Sequence, residues 1–267
     1  MSRLTYLAAI ALASSLAPGA PLRAQMPQAG TADTTGTSPA EAPALVTAAN
    51  AARLEPGKWT YVARLMGSSA PSRLGFRTLE LRDTTYRGAP AWMLVDSRQL
   101  ATVTLGDTLY LAKSDLTPLR RVMHTPGSDV TTEFARDSIR ATFSGETGDG
   151  YAALAEVPGV LANLYLLERL VAVSPVGPTW KGSASLAALG RDESGIVPLV
   201  MRTTGEESLL VPDGRFDCWI VTLDVGRGSQ RMWVRKSDGV MLKERIPVVG
   251  MANAELELLL AEHGVSR

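Results

Sequence analysis

From Pro56 onward, apolar and polar positions alternate along the chain with a period of two. Trp59-Thr60-Tyr61-Val62-Ala63-Arg64-Leu65 alternates, and so does Phe76-Arg77-Thr78-Leu79-Glu80-Leu81. Residues two apart share one face of a strand, so this spacing predicts half-buried strands. Tyr86 to Asp96 holds Ala91-Trp92-Met93-Leu94-Val95, punctuated by Gly88 and Pro90. Thr102-Val103-Thr104 and Thr108-Leu109-Tyr110-Leu111 flank Gly106-Asp107, which predicts a tight hairpin there because glycine adopts positive φ at little cost. Further short runs lie at Leu119 to His124, Val130 to Phe134 and Ser138 to Phe143. No stretch of crossover-helix length separates them, so the predicted sheet is antiparallel.

One segment has a different period. After the polar loop Gly145 to Gly150, Pro158 sits where a first-turn proline belongs. Val160, Leu161, Leu164, Leu167, Glu168 and Val171 then recur at three and four. Tyr165, Leu166 and Leu170 widen the apolar surface, which predicts a helix over about 158–173, apolar nearly all round and therefore buried on the sheet. Strand patterns resume at Ser183 to Leu189, Ile196 to Thr203 and Cys218 to Val225. Turns at Gly226 to Ser229 and at Asp238-Gly239 fold the chain through Gln230 to Arg235 and Val240 to Ile246. Ala254 to Ala261 alternates as a strand, while Asn253 is placed to cap a helix; the alternation favours the strand.

The N-terminus has another composition. Arg3 is followed by a thirteen-residue run from Leu4 to Leu16, which Pro18, Gly19 and Pro21 break before Leu22-Arg23-Ala24. A basic start, a short apolar centre and a small-residue exit predict a secretory signal over 1–24, cut after Ala24, and a periplasmic or secreted protein. The run is too short for the ~20 residues of a membrane span. Residues 25–50, rich in Ala, Thr, Gly, Pro and Ser, read as a flexible linker, and 51–267 as a single β-rich domain. Ala44 to Leu54 also fits a short helix leading into that domain.

Charge and candidate chemistry narrow the function classes. Cleavage removes two of the 27 Lys and Arg and none of the 27 Asp and Glu, leaving a net charge of −2. Nothing here resembles the clustered basic face that nucleic acid requires. Cys218 is the one cysteine, so stability must come from a core, for which 45% hydrophobic residues suffice. His124 and His263 stand in no metal-ligating spacing. Gly182-Ser183-Ala184-Ser185-Leu186 lacks the closing glycine of a nucleophile elbow. Asp83, Asp96, Asp107, Asp115, Glu133, Glu206 and Glu207 sit beside turns and read as solvated acids, although paired carboxylates could in principle serve a hydrolase. No catalytic residue, metal or cofactor is expected.

Five tryptophans accompany the strand patterns. Core packing is the plain reading for them. The sharper one is a concave sheet face that takes an apolar ligand, lined by Trp92, Trp219, Trp233, Leu166 and Leu170.

The order of several segments carries a resemblance. These are Pro56-Gly57-Lys58-Trp59-Thr60-Tyr61, then Thr108 to Leu111 running on to Leu116-Thr117-Pro118-Leu119-Arg120. Val211-Pro212-Asp213-Gly214-Arg215-Phe216-Asp217-Cys218-Trp219 comes later, before Trp233-Val234-Arg235-Lys236 and Leu242-Lys243-Glu244. Together they resemble an uncharacterised family of bacterial exported proteins related to the lipoprotein-localisation-factor (LolA-like) superfamily. The resemblance implies a mainly β fold: a strongly curved antiparallel sheet, an unclosed half-barrel, with a helix against its concave side. It also implies a hollow that holds acyl chains. The expected function is thus an exported envelope protein, monomeric and at most peripheral to a membrane, that binds or carries a lipid or an acylated protein. A non-binding structural module of the envelope is the alternative, and a carboxylate-dependent exported hydrolase a further one.

Overall fold

The computed structural model describes residues 42–67, 71–135, 138–146, 148–155, 160–190, 194–225, 228–248, 251 and 253–264. The expected signal segment and residues 25–41 of the expected linker lie outside these.

The described residues form fifteen strands of one sheet, most of them from the period-two segments. In chain order these are β1 (Gly57–Met66), β2 (Ser72–Tyr86), β3 (Ala89–Leu100), β4 (Val103–Ala112), β5 (Pro118–Thr125), β6 (Ser128–Phe134), β7 (Ser138–Gly145) and β8 (Gly150–Ala155). After these come β9 (Val160–Leu161), β10 (Lys181–Leu189), β11 (Ser194–Val211), β12 (Gly214–Val225), β13 (Gly228–Arg235), β14 (Met241–Pro247) and β15 (Glu255–Gly264). Two meanders make the sheet, one from β1 out to β8 and one from β10 to β15. The pairing of β1 with β15 joins them, Leu65 opposite Leu256 and Trp59 opposite His263. Every ladder is antiparallel except that of β9 on β10. The ambiguous C-terminal segment is therefore a strand, at the seam of the molecule. The sheet curls until β8 lies against β10 and β11, giving the expected open half-barrel.

Strand parity places the core. Tyr61, Ala63, Leu79, Leu81, Leu94 and Leu109 point into the hollow, where the core helix Tyr165–Ala172 covers them, with Leu166, Leu167, Leu170 and Val171 fully buried. That helix is shorter than the predicted 158–173. Val160 and Leu161 run instead as an edge strand opposite Ser185 and Leu186, and Pro158 lies outside the described residues. A short apolar run fits strand and helix equally well, and here the open edge of β10 satisfies its backbone. The helix begins beyond Asn163, whose Oδ1 accepts from Leu166 N at 3.4 Å.

Two further expectations are corrected. Gly106-Asp107 is no turn: both lie within β4, Gly106 opposite Ser97 and His124, and the chain reverses at Ala101-Thr102, where Ala101 has φ 53°. Asp107 tolerates a strand interior because Arg121 on β5 neutralises it. The expected linker ends before position 50. Ala42 and Leu45 are buried, Ala44 bridges Ser183 in parallel, and Thr47 caps a short helix over Ala48–Ala51. Leu45 N donates to Ser183 O at 2.9 Å, and Ser183 N to Pro43 O at 2.8 Å.

Candidate functional site beneath the core helix

The face of the sheet that should be apolar carries charge under the helix. Arg77 shares its face of β2 with Leu79 and Leu81, and stands opposite Tyr61 on β1 and Arg98 on β3. Two like charges opposite one another repel. Asp96, two residues before Arg98 on the same face, resolves the conflict. Arg77 Nε donates to its Oδ1, and Arg98 Nε donates to its Oδ2 at 2.7 Å. From the helix, Glu168 brings Oε1 to 2.6 Å from Arg77 Nη1, and Glu244 on β14 holds Oε2 3.7 Å from the same nitrogen. The rings of Tyr61 and Tyr165 wall in the Arg77 guanidinium, at 5.8 and 4.9 Å. All five charged residues are at most 6% exposed.

Burial and mutual charge set the protonation states. Burial alone would raise the Asp96 carboxyl, but Arg77 and then Arg98 overcome it and hold it below its ordinary value. Glu244 goes the other way: burial first, and the Glu168 charge second, push it up to about 8 despite Arg77 and Arg98. Burial also raises Glu168, against the pull of Arg77 and Arg169. Near neutral pH the cluster thus holds Asp96 ionised and Glu244 largely protonated.

The helix has further polar attachments. Arg121 grips Asp107 through Nε and Nη2, and its Nη1 donates to Ala162 O at 2.9 Å, just before the helix. Arg169 is buried and has its guanidinium carbon 3.7 Å from the Trp59 ring centre. Its Nε and Nη2 have no hydrogen-bond partner. It cannot use its neighbour Glu168, because consecutive helical residues point apart.

Two small cavities flank the helix. One of about 20 Å³ is bounded by Arg77, Arg98, Tyr165, Glu168, Gln230 and Glu244. A space of that size holds one water. Arg77 Nη2 and Glu168 Oε2 are buried without a partner, and a single water in this cavity would accept from the first and donate to the second. The other, of about 40 Å³, lies beside Arg121, Met123, Thr132, Asn163 and Leu186.

None of the five residues expected to line a ligand site borders either cavity. Trp92, Trp233, Leu166 and Leu170 belong to one continuous hydrophobic core. Trp233 Nε1 donates to Glu207 Oε2 at 2.6 Å. Trp219 is half-buried under Lys236, whose Nζ is 3.9 Å from its ring centre. Trp92, Leu166 and Leu170 fill the hollow, whereas Trp233 stands on the opposite face of the sheet, in line with Lys243 and Leu259.

Asp96 and Asp107 are a correction to the reading of turn acids, because both are buried and ion-paired. The sign was present in the sequence. Arg77 has the strand parity of Leu79, Asp96 that of Leu94, and Asp107 that of Leu109. The other singled-out groups are peripheral. His124 meets Asp129 at 2.8 Å on the surface, His263 stacks on Trp59, and burial pushes the Cys218 thiol up to about 11. Among the described residues, no three His, Cys, Asp or Glu are placed to hold a metal. No helix there is long and apolar enough to cross a membrane.

No curated protein matches the sequence. Among solved structures the chain is similar to a DUF1329 family protein from Desulfovibrio piger ATCC 29098, with 9% identity and a TM-score of 0.25 over 84% of this chain and 93% of that one. That likeness is too weak to bear on function. The model of the family described as protein of unknown function (DUF3108) matches residues 71–257, and the chain belongs to that family.

Proposed function

We propose that this protein is an exported, monomeric binding protein of the cell envelope, LolA-like in design, which takes a lipid or the acyl chain of a lipoprotein into the hollow of its curved sheet. The core helix is then a displaceable plug, and the arrangement described is the closed state. One observation carries the reading: the helix is seated on the sheet through buried charge. A helix that never leaves is held as well or better by apolar contacts, since replacing a buried ion pair with packed hydrophobic residues is neutral or stabilising by about 1–4 kcal/mol. Charges suit a helix that must leave, because water solvates Glu168 and Arg77 once they part. Under the departed helix lies the wide apolar floor of Leu79, Leu81, Leu94 and Leu109. Binding rather than catalysis is the role proposed.

The second reading is a structural envelope module, and the cavities favour it. Spaces of about 20 and 40 Å³ are far below the ~300 Å³ at which ligand pockets begin. Organic-solvent extraction of the protein purified from its native envelope, followed by mass spectrometry, separates the two. A stoichiometric lipid supports the carrier. Absence of lipid, together with failure of the delipidated protein to bind an apolar fluorescent probe, leaves the structural module.

A further inference from the structure

Under the core helix the sheet presents two guanidiniums side by side, and the one carboxylate bonded directly to Arg77 from above comes from the helix. Arg77 and Arg98 are two fixed cations. Asp96 supplies one anion and is already shared between them. Glu244 is the other acid within reach, but it stands 3.7 Å from Arg77 Nη1, beyond hydrogen-bond distance. Tyr61 and Gln230 are neutral. The direct bond is made by Glu168, 2.6 Å from Arg77, and Glu168 belongs to the helix. A guest with no charge would turn out the helix and leave Arg77 Nη1 buried without the carboxylate that Glu168 places on it, which is costly.

Resting on the binding reading above, we propose that the guest is an amphiphile with a single oxyanion head, carboxylate or phosphate, seated on Arg77 where the Glu168 carboxylate now sits. The helix is the internal stand-in for that guest. It lays Leu166, Leu167, Leu170 and Val171 on the apolar floor and one carboxylate on the guanidinium. The seat has capacity left for a head with more acceptors than a side-chain carboxylate uses. Arg77 Nη2 has no partner, and it borders the cavity that fits one water. The Tyr61 and Tyr165 rings beside the guanidinium keep bulk water from the ion pair. Glu244, 3.7 Å from the same nitrogen, is the internal competitor, because ionised it would neutralise Arg77 without a guest.

The test uses the full chain with Glu168→Gln, which removes the charge from the seat and keeps the shape. A long-chain fatty acid, the matched alcohol and the matched alkyl phosphate each displace an apolar fluorescent probe from wild type and variant. The acid, the phosphate or both should bind the variant about tenfold or more tighter than the alcohol does, the scale of a charge-assisted hydrogen bond. They should also bind it tighter than they bind wild type. Preference between the two oxyanions identifies the head. Glu168→Asp, which keeps the charge, should show no such gain over wild type. If Glu168→Gln does not fold, the comparison of acid with alcohol in wild type decides. Equal affinity for acid and alcohol overturns the oxyanion seat and leaves the hollow reading standing. Failure of all three to bind either protein overturns the hollow reading itself.

Discussion

Arg77 on β2 and Glu168 on the core helix meet at 2.6 Å between Nη1 and Oε1, each no more than 3% exposed, and the contact pins the helix to the floor of the hollow. Removing one partner strands a buried charge, which costs about 3–5 kcal/mol, whereas removing both costs much less. Arg77 also holds Asp96, so Arg77→Met should lower the unfolding free energy more than Glu168→Leu does. The double variant should fall short of the sum of the two. Urea denaturation of the four proteins checks this, and strict additivity would mean that the pair is not coupled.

The raised carboxyls make stability depend on pH with an unusual sign. A carboxyl with a folded pKa above its unfolded value binds more protons in the native state, so its contribution is complete below the unfolded pKa and is lost as pH rises through the folded one. For Glu244 that window runs from the ordinary 4.5 to about 8, and a few kcal/mol are lost across it, at ~1.4 kcal/mol per unit. Glu168 acts in the same direction. Asp96, with a lowered pKa, contributes above its ordinary value and loses that contribution as pH falls through its folded pKa. His263, also lowered, adds a smaller slope of opposite sign to that of Glu244. Subtracting the stability profile of Glu244→Gln from that of wild type isolates the Glu244 term, and a flat difference between pH 4.5 and 8 would contradict it.

Two glycines with similar backbone should respond differently to a methyl group. Gly88 and Gly239 have φ of 84° and 73°, a region that costs other residues about 1–2 kcal/mol. An added Cβ at Gly88 meets nothing within 4 Å, but at Gly239 it stands 2.2 Å from the carbonyl oxygen of Ala172, the last residue of the core helix. Gly88→Ala should cost only the backbone term. Gly239→Ala should cost clearly more and loosen the helix end. Thermal melts compare the two, and equal losses would show that the close approach to Ala172 is not limiting.

Protein from the native envelope should begin at Gln25. A chain starting at Ala42 should match its stability, while one starting at Ala51 loses Leu45 and Ala42 from the core and about 2–3 kcal/mol. Edman sequencing and denaturation test the two parts. A stable chain starting at Ala51 would restore the longer linker.

Much of this fold was legible because it is local. Parity along Trp59 to Leu65 and Phe76 to Leu81 gave strands and their inward faces, and Gly88 and Asp238-Gly239 marked true turns. What was lost depends on partners distant in the chain. Gly106-Asp107 looks like a turn until Arg121 is beside it, and Val160-Leu161 looks helical until the edge of β10 receives it. The candidate site was half legible. Arg77, Asp96 and Asp107 each stand at the parity of neighbouring leucines, a charge on an apolar face that calls for an opposite charge nearby. Their assembly with Glu168 and Glu244 was not, because only the β1–β15 seam and the chain crossing back over the hollow bring residues 77, 168 and 244 together.

A displaceable core helix leaves the hollow while the sheet stays folded. Native-state hydrogen exchange reads this residue by residue. Amides from Leu167 to Val173 should exchange through an opening of lower free energy than global unfolding. A saturating fatty acid should speed their exchange and leave those of β1 to β4 and β12 to β15 protected. Helix amides that exchange only with global unfolding, and that respond to no apolar guest, would show the helix to be a permanent part of the core and contradict the account.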